Sequence, residues 1–579
     1  MRDSVQQGAT LRTTSDRLME TLCAIGVDYI FANLGSDHPP IIEALAKRSA
    51  EGLPNPKVVV CPHEMVAISA AHGYAQATGR AQAVLVHVDV GTQNLGGGLH
   101  NALRGRVPML ILAGASPVTL DGELRGSRNE FIHYLQDVPD QRGIVREYTK
   151  WSYDLHVGHN VDLVVKRAMQ IANSEPKGPV YIMAPREILE EEHTYSDAIA
   201  RELSPVLPSA LSPEQAQEIA TALAEAKFPL VITSYLGRNH DAVRELIGLS
   251  EEWAIPVIEA GPMYMNFPAD HPMHLGYDDF VQPNPFLPKA DVIVVLDSDF
   301  PWLTQNSTRQ SSAKLYWVDA DPIKETIPLW YYSGQQPYRA DAGTALRQIR
   351  QALSALRRDA TALEQRRQAI AAESRRLRAE WEKVESIPTD QAITPEYLTR
   401  VVRELCDEDT IVVNETITNY GVVWRHLRNR TLGSFYGSGG SSLGWHGGAA
   451  IGVKLAHPTK TVIALTGDGS YLFSVPSAVH LTAAKYGAPF LTVIYNNGGW
   501  KAPKASTLAV HPDGYAQQHS DFKVNFYPDA QLERAAAVVP ETYTASVKAP
   551  EALKGVLTEA LAHVRAGHSA VVNVVIKPL

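Results

Sequence analysis

The sequence predicts an α/β protein of three domains, each built around a mainly parallel, doubly wound sheet. Short runs rich in Val, Ile and Leu recur along the chain and alternate with helical patterns. This alternation is typical of parallel strands that helices cover on both faces. The chain has 579 residues, which is more than one hydrophobic core usually holds. We therefore expect several sheets.

The predicted strands mostly end in Gly, Asp, Asn or Ser. In chain order they span residues 58–61, 83–91, 108–114, 179–185, 229–234, 291–299, 410–415, 461–469, 489–497 and 570–576. In open α/β sheets, ligands bind outside the carboxyl ends of the strands. Residues at these strand ends are therefore the first candidates for a functional site.

Two polar segments divide the chain. Residues 186–215 are rich in Pro and show no strand pattern, so a domain should end near Arg186. Residues 357–386 form a charged helical segment that we interpret as a solvated connector. The predicted units are residues 12–186, a central Rossmann-like domain at 205–355, a helical linker at 356–388 and a last domain at 389–579.

Composition excludes some classes of function. A formal net charge of −10 argues against a nucleic acid or an anionic membrane as the main partner. Cys23, Cys61 and Cys406 lie far apart without metal-type spacing, which indicates a reduced chain without a disulfide framework. The N-terminus has no apolar stretch that could serve as a signal peptide, and no apolar run approaches the length of a membrane span. We expect a soluble, cytoplasmic protein.

An acid and an amide pair stand at the ends of two consecutive predicted strands. Asp468 lies between Gly467 and Gly469, and Asn497 ends the next strand. A crossover helix is expected between them over residues 474–487, with a helix N-terminus after Ser470. A carboxylate, an amide oxygen and a nearby carbonyl suit Mg²⁺. Glycines and a helix N-terminus suit phosphate. Each motif alone is a common turn or cap; together they favour a diphosphate–Mg²⁺ site.

At this point the chain resembles a known family. GDG, 26 intervening residues and NN resemble the signature of thiamine diphosphate (ThDP) enzymes of the acetolactate synthase, benzoylformate decarboxylase and pyruvate oxidase type. Three more family segments occur in the right order: "CPHEMVAISAAHGYAQATGR" (61–80), "VNETITNYG" (413–421) and "GGSSLGWHGGAAIGVKLAHP" (439–458). The resemblance covers nearly the whole chain and implies pyrimidine-binding, central and diphosphate-binding domains.

The resemblance also implies roles for individual residues. Mg²⁺ would be held by Asp468, Asn497 and the carbonyl of Gly499. Glu64 takes the place of the glutamate that hydrogen-bonds the aminopyrimidine and promotes loss of the C2 proton; alone, it would be an ordinary first-turn helix acid. Leu443 would press under the cofactor. The full set of implied cofactor contacts is Glu64, Glu415, Thr416, Thr418, Leu443, Gly467, Gly469, Ser470, Asn497 and Trp500.

Two segments of the sequence predict residues that contact the substrate. Ser36 lies in "NLGSDHPP", which resembles the benzoylformate decarboxylase loop with a substrate-binding serine. His87, just before an expected turn at Gly91 and Thr92, takes the place of that enzyme's active-site histidine and could relay protons. We therefore predict Glu64 and His87 as catalytic residues. Further pocket candidates, each of which alone is more often a cap, interface or core residue, are His38, His446 and Trp500.

The chain also departs from the family pattern. "AGASP" puts Ala115 and Ser116 where relatives often have a glutamine, which counts against acetolactate-synthase-type substrate handling. The central region has no G-x-G-x-x-G and offers only "SYLGRN" (234–239), so FAD, ADP or CoA binding there is unsupported.

The leading hypothesis is a ThDP- and Mg²⁺-dependent enzyme that breaks or makes a C–C bond through a C2 carbanion or enamine. It would be a 2-oxo acid decarboxylase or an acetolactate synthase-like carboligase with a small-molecule carbonyl substrate. One alternative is a 2-hydroxyacyl-CoA lyase, which would need a basic groove near Arg238; another is a non-catalytic ThDP-binding regulator. Because the family's cofactor lies between two chains, the resemblance implies a homodimer or homotetramer.

Overall fold

The computed structural model describes residues 9–196, 203–305, 308–388 and 392–578. Within these residues the chain forms three sheets of six strands, in which every strand pair is parallel, and one two-stranded antiparallel sheet. The three-domain α/β architecture predicted from the apolar runs is confirmed. None of the described helices is long and apolar enough to cross a membrane.

Over its described residues, 9–196, the first domain holds eight strands and eight α-helices. The strands are β1 (Ala9–Thr13), β2 (Tyr29–Ala32), β3 (Lys57–Val60), β4 (Ala83–Val86), β5 (Met109–Ala115), β6 (Trp151–Asp154), β7 (Pro179–Pro185) and β8 (Glu192–Ser196). The helices are α1 (Thr14–Ala24), α2 (Pro39–Ala50), α3 (Glu64–Thr78), α4 (Val88–Asn94), α5 (Gly96–Arg104), α6 (Ile132–Leu135), α7 (Val161–Asn173) and α8 (Arg186–Glu190). The main sheet has the order β3-β2-β4-β5-β7-β6.

The expectation that residues 186–215 lack strands is wrong. The helix α8 and the strand β8 occupy the start of this segment, and β8 pairs antiparallel with β1, with Thr13 opposite Glu192. The strand is short and polar, and its partner lies at the other end of the domain, so no local hydrophobic pattern indicates it. The secondary structure of the first domain therefore continues to Ser196.

The central domain contains β9 (Pro229–Thr233), β10 (Val257–Ala260), β11 (His274–Asp278), β12 (Val292–Leu296), β13 (Lys314–Asp319) and β14 (Gln335–Arg339). Its helices are α9 (Pro213–Glu225), α10 (His240–Trp253) and α11 (Ala342–Ser354). The sheet order is β11-β10-β9-β12-β13-β14, so the direction of winding reverses between β9 and β12. Open α/β sheets bind ligands at such a switch point.

The charged connector is a helix, α12 (Ala360–Glu382). Most of it is exposed, as predicted, but Ile370 and Ser374 are buried. The Ser374 hydroxyl donates to the carbonyl of His274 at 2.8 Å. The connector is thus docked on the central domain along one side.

The third domain contains β15 (Thr410–Glu415), β16 (Phe435–Gly437), β17 (Thr461–Gly467), β18 (Leu491–Asn496), β19 (Tyr543–Val547) and β20 (Ala570–Val575). Its helices are α13 (Pro395–Leu405), α14 (Tyr420–Leu427), α15 (Trp445–Ala456), α16 (Asp468–Phe473), α17 (Pro476–Lys485), α18 (Lys501–Val510), α19 (Tyr515–Gln518) and α20 (Pro550–Arg565). The order is β16-β15-β17-β18-β20-β19. The start predicted for this domain, residue 389, lies outside the described residues.

The predicted adjacency of β17 and β18 is confirmed, since the two strands pair in parallel from Ile463 opposite Leu491 to Gly467 opposite Tyr495. The crossover helix predicted over residues 474–487 is confirmed by α17 (Pro476–Lys485). The helix N-terminus expected directly after Ser470 lies elsewhere, because the short helix α16 already begins at Asp468 and contains Ser470.

The first and third domains are joined by the close packing of α3 against α15. A β-carbon at Gly452 would lie 1.9 Å from the carbonyl oxygen of Ala70, and one at Gly73 would lie 2.2 Å from that of Ala449. Only glycine allows backbones to approach this closely. The packing sets the relative position of two domains that both carry predicted site residues.

Candidate active site

Asp468 links the carboxyl ends of β17 and β18. One carboxylate oxygen accepts the amide of Gly469 at 2.7 Å, and the other accepts the amides of Gly498 and Gly499 at 2.9 and 3.0 Å. The side chain is buried. Burial raises the pKa of Asp468 above its ordinary value of 3.8, although these backbone donors act in the opposite direction. A cation beside this carboxylate would remove the desolvation penalty.

The glycines around Asp468 leave an open edge. A β-carbon at Gly467 or at Gly498 would meet nothing within 4 Å. Gly469 has no free space beside it. A β-carbon there would lie 2.3 Å from the Trp500 ring, so this position requires glycine. The open edge and the oxygen donors of Asp468, Asn497 and Gly499 fit a diphosphate with a hard cation.

Glu415 and His446 form a buried pair near the end of β15. The Glu415 carboxylate accepts the amides of Trp445 and His446 at 3.1 and 3.0 Å, which caps the start of α15. The same carboxylate also accepts a hydrogen bond from Nδ1 of the His446 ring at 2.7 Å. Both side chains therefore make hydrogen bonds within their own domain. Thr416 donates its hydroxyl to the side-chain oxygen of Asn414 at 2.9 Å, and Thr418 is exposed to solvent. The cofactor and substrate roles assigned to Glu415, Thr416, Thr418 and His446 stay predictions.

Glu64 is the first residue of α3 and is buried. Asn94, at the end of α4, donates its side-chain amide to the Glu64 carboxylate at 3.0 Å. A β-carbon at Gly91 would lie 3.3 Å from this carboxylate and 3.5 Å from the β-carbon of His87. The two residues predicted to be catalytic thus flank the same glycine.

His87 is held between Asp37 and Gln136. Its Nδ1 lies 2.6 Å from the Asp37 carboxylate and its Nε2 lies 2.8 Å from the side-chain oxygen of Gln136. When both nitrogens donate, the ring is an imidazolium. The predicted turn at Gly91 and Thr92 is wrong: these residues lie in α4, and His87 is the residue that precedes this helix.

Sequence reasoning missed Asp37 and Gln136. The only local signal for Asp37 is its place between two residues that were predicted, Ser36 and His38. Gln136 lies about 50 residues from His87 in the sequence. It is held beside the His87 ring because Ser116 donates its hydroxyl to the Gln136 carbonyl at 2.6 Å. No sequence spacing relates these positions.

Burial lowers the pKa of His87, but the hydrogen bond and charge of Asp37, with Gln136 and Asp89, outweigh burial and raise it above 6.5. Burial raises the pKa of Asp37, but the His87 hydrogen bond, the charges of His38 and His87 and the Val88 amide bring it below 3.8. The two groups therefore form an ion pair over a range of mildly acidic pH.

Ser36 and His38 lie in the loop after β2, beside the end of the neighbouring strand β4 that leads to His87. The Ser36 hydroxyl is buried and has no hydrogen-bond partner among the described residues. The Nδ1 of His38 accepts the amide of Gly35 at 2.9 Å, and burial lowers the pKa of His38. His38 is therefore neutral. The structure thus brings Ser36, His38 and His87 together in the first domain, whereas Trp500 lies with Asp468 in the third.

The Asp37–His87 pair predicts a pH dependence. The raised pKa of His87 stabilises the fold fully below pH 6.5, and this contribution is lost as pH rises through the folded-state value. The lowered pKa of Asp37 stabilises the fold above pH 3.8 and is lost as pH falls. We expect Asp37→Asn to lower the pKa of His87, measured by NMR titration of its ring protons. Asp89→Asn removes a nearby charge but no hydrogen bond to His87, so it should lower the pKa of His87 less. An unchanged pKa in Asp37→Asn would contradict the pairing.

The switch point of the central sheet carries a cluster of buried charged side chains. Arg106, from the first domain, donates to Asp299 and Asp319 at 2.9 and 3.0 Å, and Lys324 donates to Asp319 at 2.7 Å. Arg238 pairs with Asp297 on the same side. The three carboxylates at this edge are thus paired with cations of the chain itself.

Comparison with known sequences matches three successive parts of the chain. Three families match: "Thiamine pyrophosphate enzyme, N-terminal TPP binding domain" over residues 12–144, the central domain over 216–349 and the C-terminal TPP binding domain over 416–574. A probable acetolactate synthase large subunit of Methanocaldococcus jannaschii is 26% identical over 83% of this chain and 80% of that protein. A benzoylformate decarboxylase of Pseudomonas aeruginosa is 24% identical over 85% of this chain and 87% of that protein.

Solved structures share the fold. A thiamine diphosphate-dependent 4-hydroxybenzoylformate decarboxylase of Rhodococcus jostii superimposes with a TM-score of 0.78 at 22% identity, over 98% of this chain and 100% of that chain. A benzoylformate decarboxylase of Polynucleobacter necessarius gives a TM-score of 0.78 at 20% identity, with the same coverage. All three domains match in order, and the GDG and NN motifs end adjacent strands. The chain belongs to the thiamine pyrophosphate enzyme family.

Proposed function

We propose that the protein is a ThDP- and Mg²⁺-dependent enzyme that breaks or makes the C–C bond next to the carbonyl of a 2-oxo acid, as a decarboxylase or a carboligase. The observation that carries this proposal is the grouping of Glu64 with the Asp37–His87 pair around Gly91. ThDP would supply an electron sink for the negative charge that develops at the carbonyl carbon. The side chains of the chain itself would bind, orient and move protons.

In the third domain, Asp468, Asn497 and the Gly499 carbonyl would hold Mg²⁺. The open edge at Gly467 and Gly498 would receive the diphosphate. These donors lie at the ends of rigid, buried strands, so the cation site needs little rearrangement.

In the first domain, Glu64 would hold a proton at the aminopyrimidine, with Asn94 orienting its carboxylate. Asp37 holds the Nδ1 proton of His87, so Nε2 is the atom left to exchange a proton with a substrate oxygen. The side-chain oxygen of Gln136 lies at 2.8 Å from this nitrogen, which is the separation a substrate oxygen would take in its place.

The alternative of a 2-hydroxyacyl-CoA lyase has less support. Arg238, its candidate for binding phosphate, is engaged by Glu175 at 2.8 Å and by Asp297 at 3.2 Å. A guanidinium that is paired with two carboxylates offers no net positive charge to a nucleotide. A non-catalytic regulator would not need the buried Glu64 or the paired His87.

We further propose that the site is completed by a second copy of the chain, in a homodimer or homotetramer. Large apolar side chains are exposed both at α6, which leads to Gln136, and at the end of α16. Phe131 and Leu135 are each 75% exposed, and Phe473 is 53% exposed. Such exposure is typical of interaction surfaces. Light scattering after size-exclusion chromatography tests this, and a stable monomer with full activity would contradict it.

Asp468→Ala is expected to abolish tight, Mg²⁺-dependent binding of ThDP. Loss of a residue that only orients a metal ligand already lowers metal affinity about 10–100-fold, so loss of a ligand should have a larger effect. Isothermal titration with ThDP and Mg²⁺ measures it. Asp521→Ala, an exposed acid of the same domain, is the control. Wild-type affinity in Asp468→Ala would contradict the proposed cation site.

The reaction is tested by incubating the protein with ThDP, Mg²⁺ and single candidates from three classes: 2-oxo acids, aldehydes and 2-hydroxyacyl-CoA thioesters. Mass spectrometry identifies the products. We expect CO₂ release from a 2-oxo acid, with an aldehyde or a ligation product. Turnover of the thioesters alone would favour the lyase instead.

A further inference from the structure

One side chain of the first domain holds a single residue of the third. Asn101, in α5, is completely buried. Its amide nitrogen donates to the carbonyl of Ser442 at 2.8 Å, and its amide oxygen accepts the backbone N–H of Ser442 at 2.8 Å. Both backbone polar groups of Ser442 are thus satisfied by one side chain, in the manner of a strand partner. Ser442 immediately precedes Leu443.

The residues on both sides of Leu443 pack closely against neighbouring segments. In α5, a β-carbon at Gly97 would lie 2.5 Å from the Ser442 hydroxyl, so glycine there makes room for that side chain. On the other side, Gly444 has a φ of +94° and a β-carbon there would lie 2.5 Å from the carbonyl of Phe473. Leu443 is itself only half-buried. Its backbone is therefore fixed at both neighbours while its side chain remains available for contact.

We propose that Asn101 is a positioning residue that sets the place of Leu443 under the cofactor. This inference rests on the proposed function, because Leu443 has a cofactor to support only if ThDP binds. A side chain that enforces a cofactor shape must be placed within a fraction of an ångström, and a misplacement of about 1 Å can lower a rate about 100-fold. The Asn101 clamp supplies this placement from a different domain.

The clamp is first tested in the chain without added cofactor. Hydrogen–deuterium exchange of a peptide that covers residues 439–445 reports the Ser442 amide. Asn101→Ala should raise its exchange rate, whereas Asn101→Asp, which keeps an acceptor oxygen, should raise it less. Gln76→Ala removes a comparable interdomain bond, from Gln76 to the Gly437 carbonyl at 2.9 Å, and should leave it unchanged. Equal protection of this amide in all the variants and the wild type would overturn the clamp.

The positioning role is tested with ThDP bound. Asn101→Ala should slow C2–H exchange of the bound cofactor about tenfold to 100-fold, and Leu443→Ala should act similarly. If Asn101 acts through Leu443, the double variant should be no slower than the slower single variant. Gln76→Ala should exchange at close to the wild-type rate and combine additively with Leu443→Ala. Additive effects of Asn101→Ala and Leu443→Ala would overturn the role.

Different results would overturn the proposed function and the positioning role of Asn101. A wild-type chain that neither binds ThDP nor accelerates C2–H exchange would overturn the proposed function and, with it, the role for Leu443. A wild type that does both, with Asn101→Ala indistinguishable from Gln76→Ala, would overturn the positioning role and leave the proposed function in place.

Discussion

Glu64→Gln is expected to slow C2–H exchange of bound ThDP about 10²–10⁴-fold, the range for a lost proton-transfer group. Glutamine has the same length and still accepts the Asn94 amide that the carboxylate accepts at 3.0 Å. It cannot share or donate the proton that Glu64 would hold at the aminopyrimidine. The fold and the ThDP affinity should therefore persist while exchange, followed by NMR after acid quench, becomes slow.

Glu259→Gln is the matched control for this change. Glu259 is also buried and accepts the backbone amide of Asn266 at 3.0 Å, but it lies in the central domain. Its replacement should lower the melting temperature and leave C2–H exchange per folded active site unchanged. If Glu64→Gln exchanged at the wild-type rate, Glu64 would be an ordinary first-turn acid, stabilised by the helix dipole.

His87→Ala is expected to lower turnover about 10²–10⁴-fold, again the range for a lost general acid or base. ThDP affinity and C2–H exchange should stay intact, because Glu64 and the Asp468 region are untouched. The reason lies in the pairing: Asp37 fixes Nδ1 at 2.6 Å, which leaves Nε2 to serve the substrate. Initial rates per bound cofactor and the melting temperature are measured on the same preparation.

The control is His274→Ala. His274 is a buried histidine paired with Glu259 at 3.2 Å in the central domain, far from the predicted site in sequence. Its loss should lower the melting temperature while the folded enzyme turns over normally. If His87→Ala behaved in the same way, with normal turnover per folded site, His87 would have only a structural role.

The sequence by itself determined the architecture and one part of the site. A parallel strand covered on both faces is apolar over most of its length, so many buried strands leave a local signal in the chain. The buried strand β11 has a polar sequence and was not predicted. A right-handed crossover places consecutive parallel strands in one sheet. For these reasons the three sheets, and the position of Asp468 beside the end of β18, could be predicted. The short, mostly polar β8 carries no such signal, because it is held by a partner strand about 180 residues away.

Only the tertiary structure decided which polar side chains meet. Asp37 and His87 are 50 residues apart, and Asn101 and Ser442 are 341 residues apart and in different domains. Such contacts depend on the packing of whole domains, including the approach of α3 to α15 that Gly73 and Gly452 permit. Hydrogen bonds act over about 3 Å, so a residue type at a given position says nothing about its partner until the backbones are in place. The predicted candidates were therefore residue types at strand ends, and their partners followed from the fold.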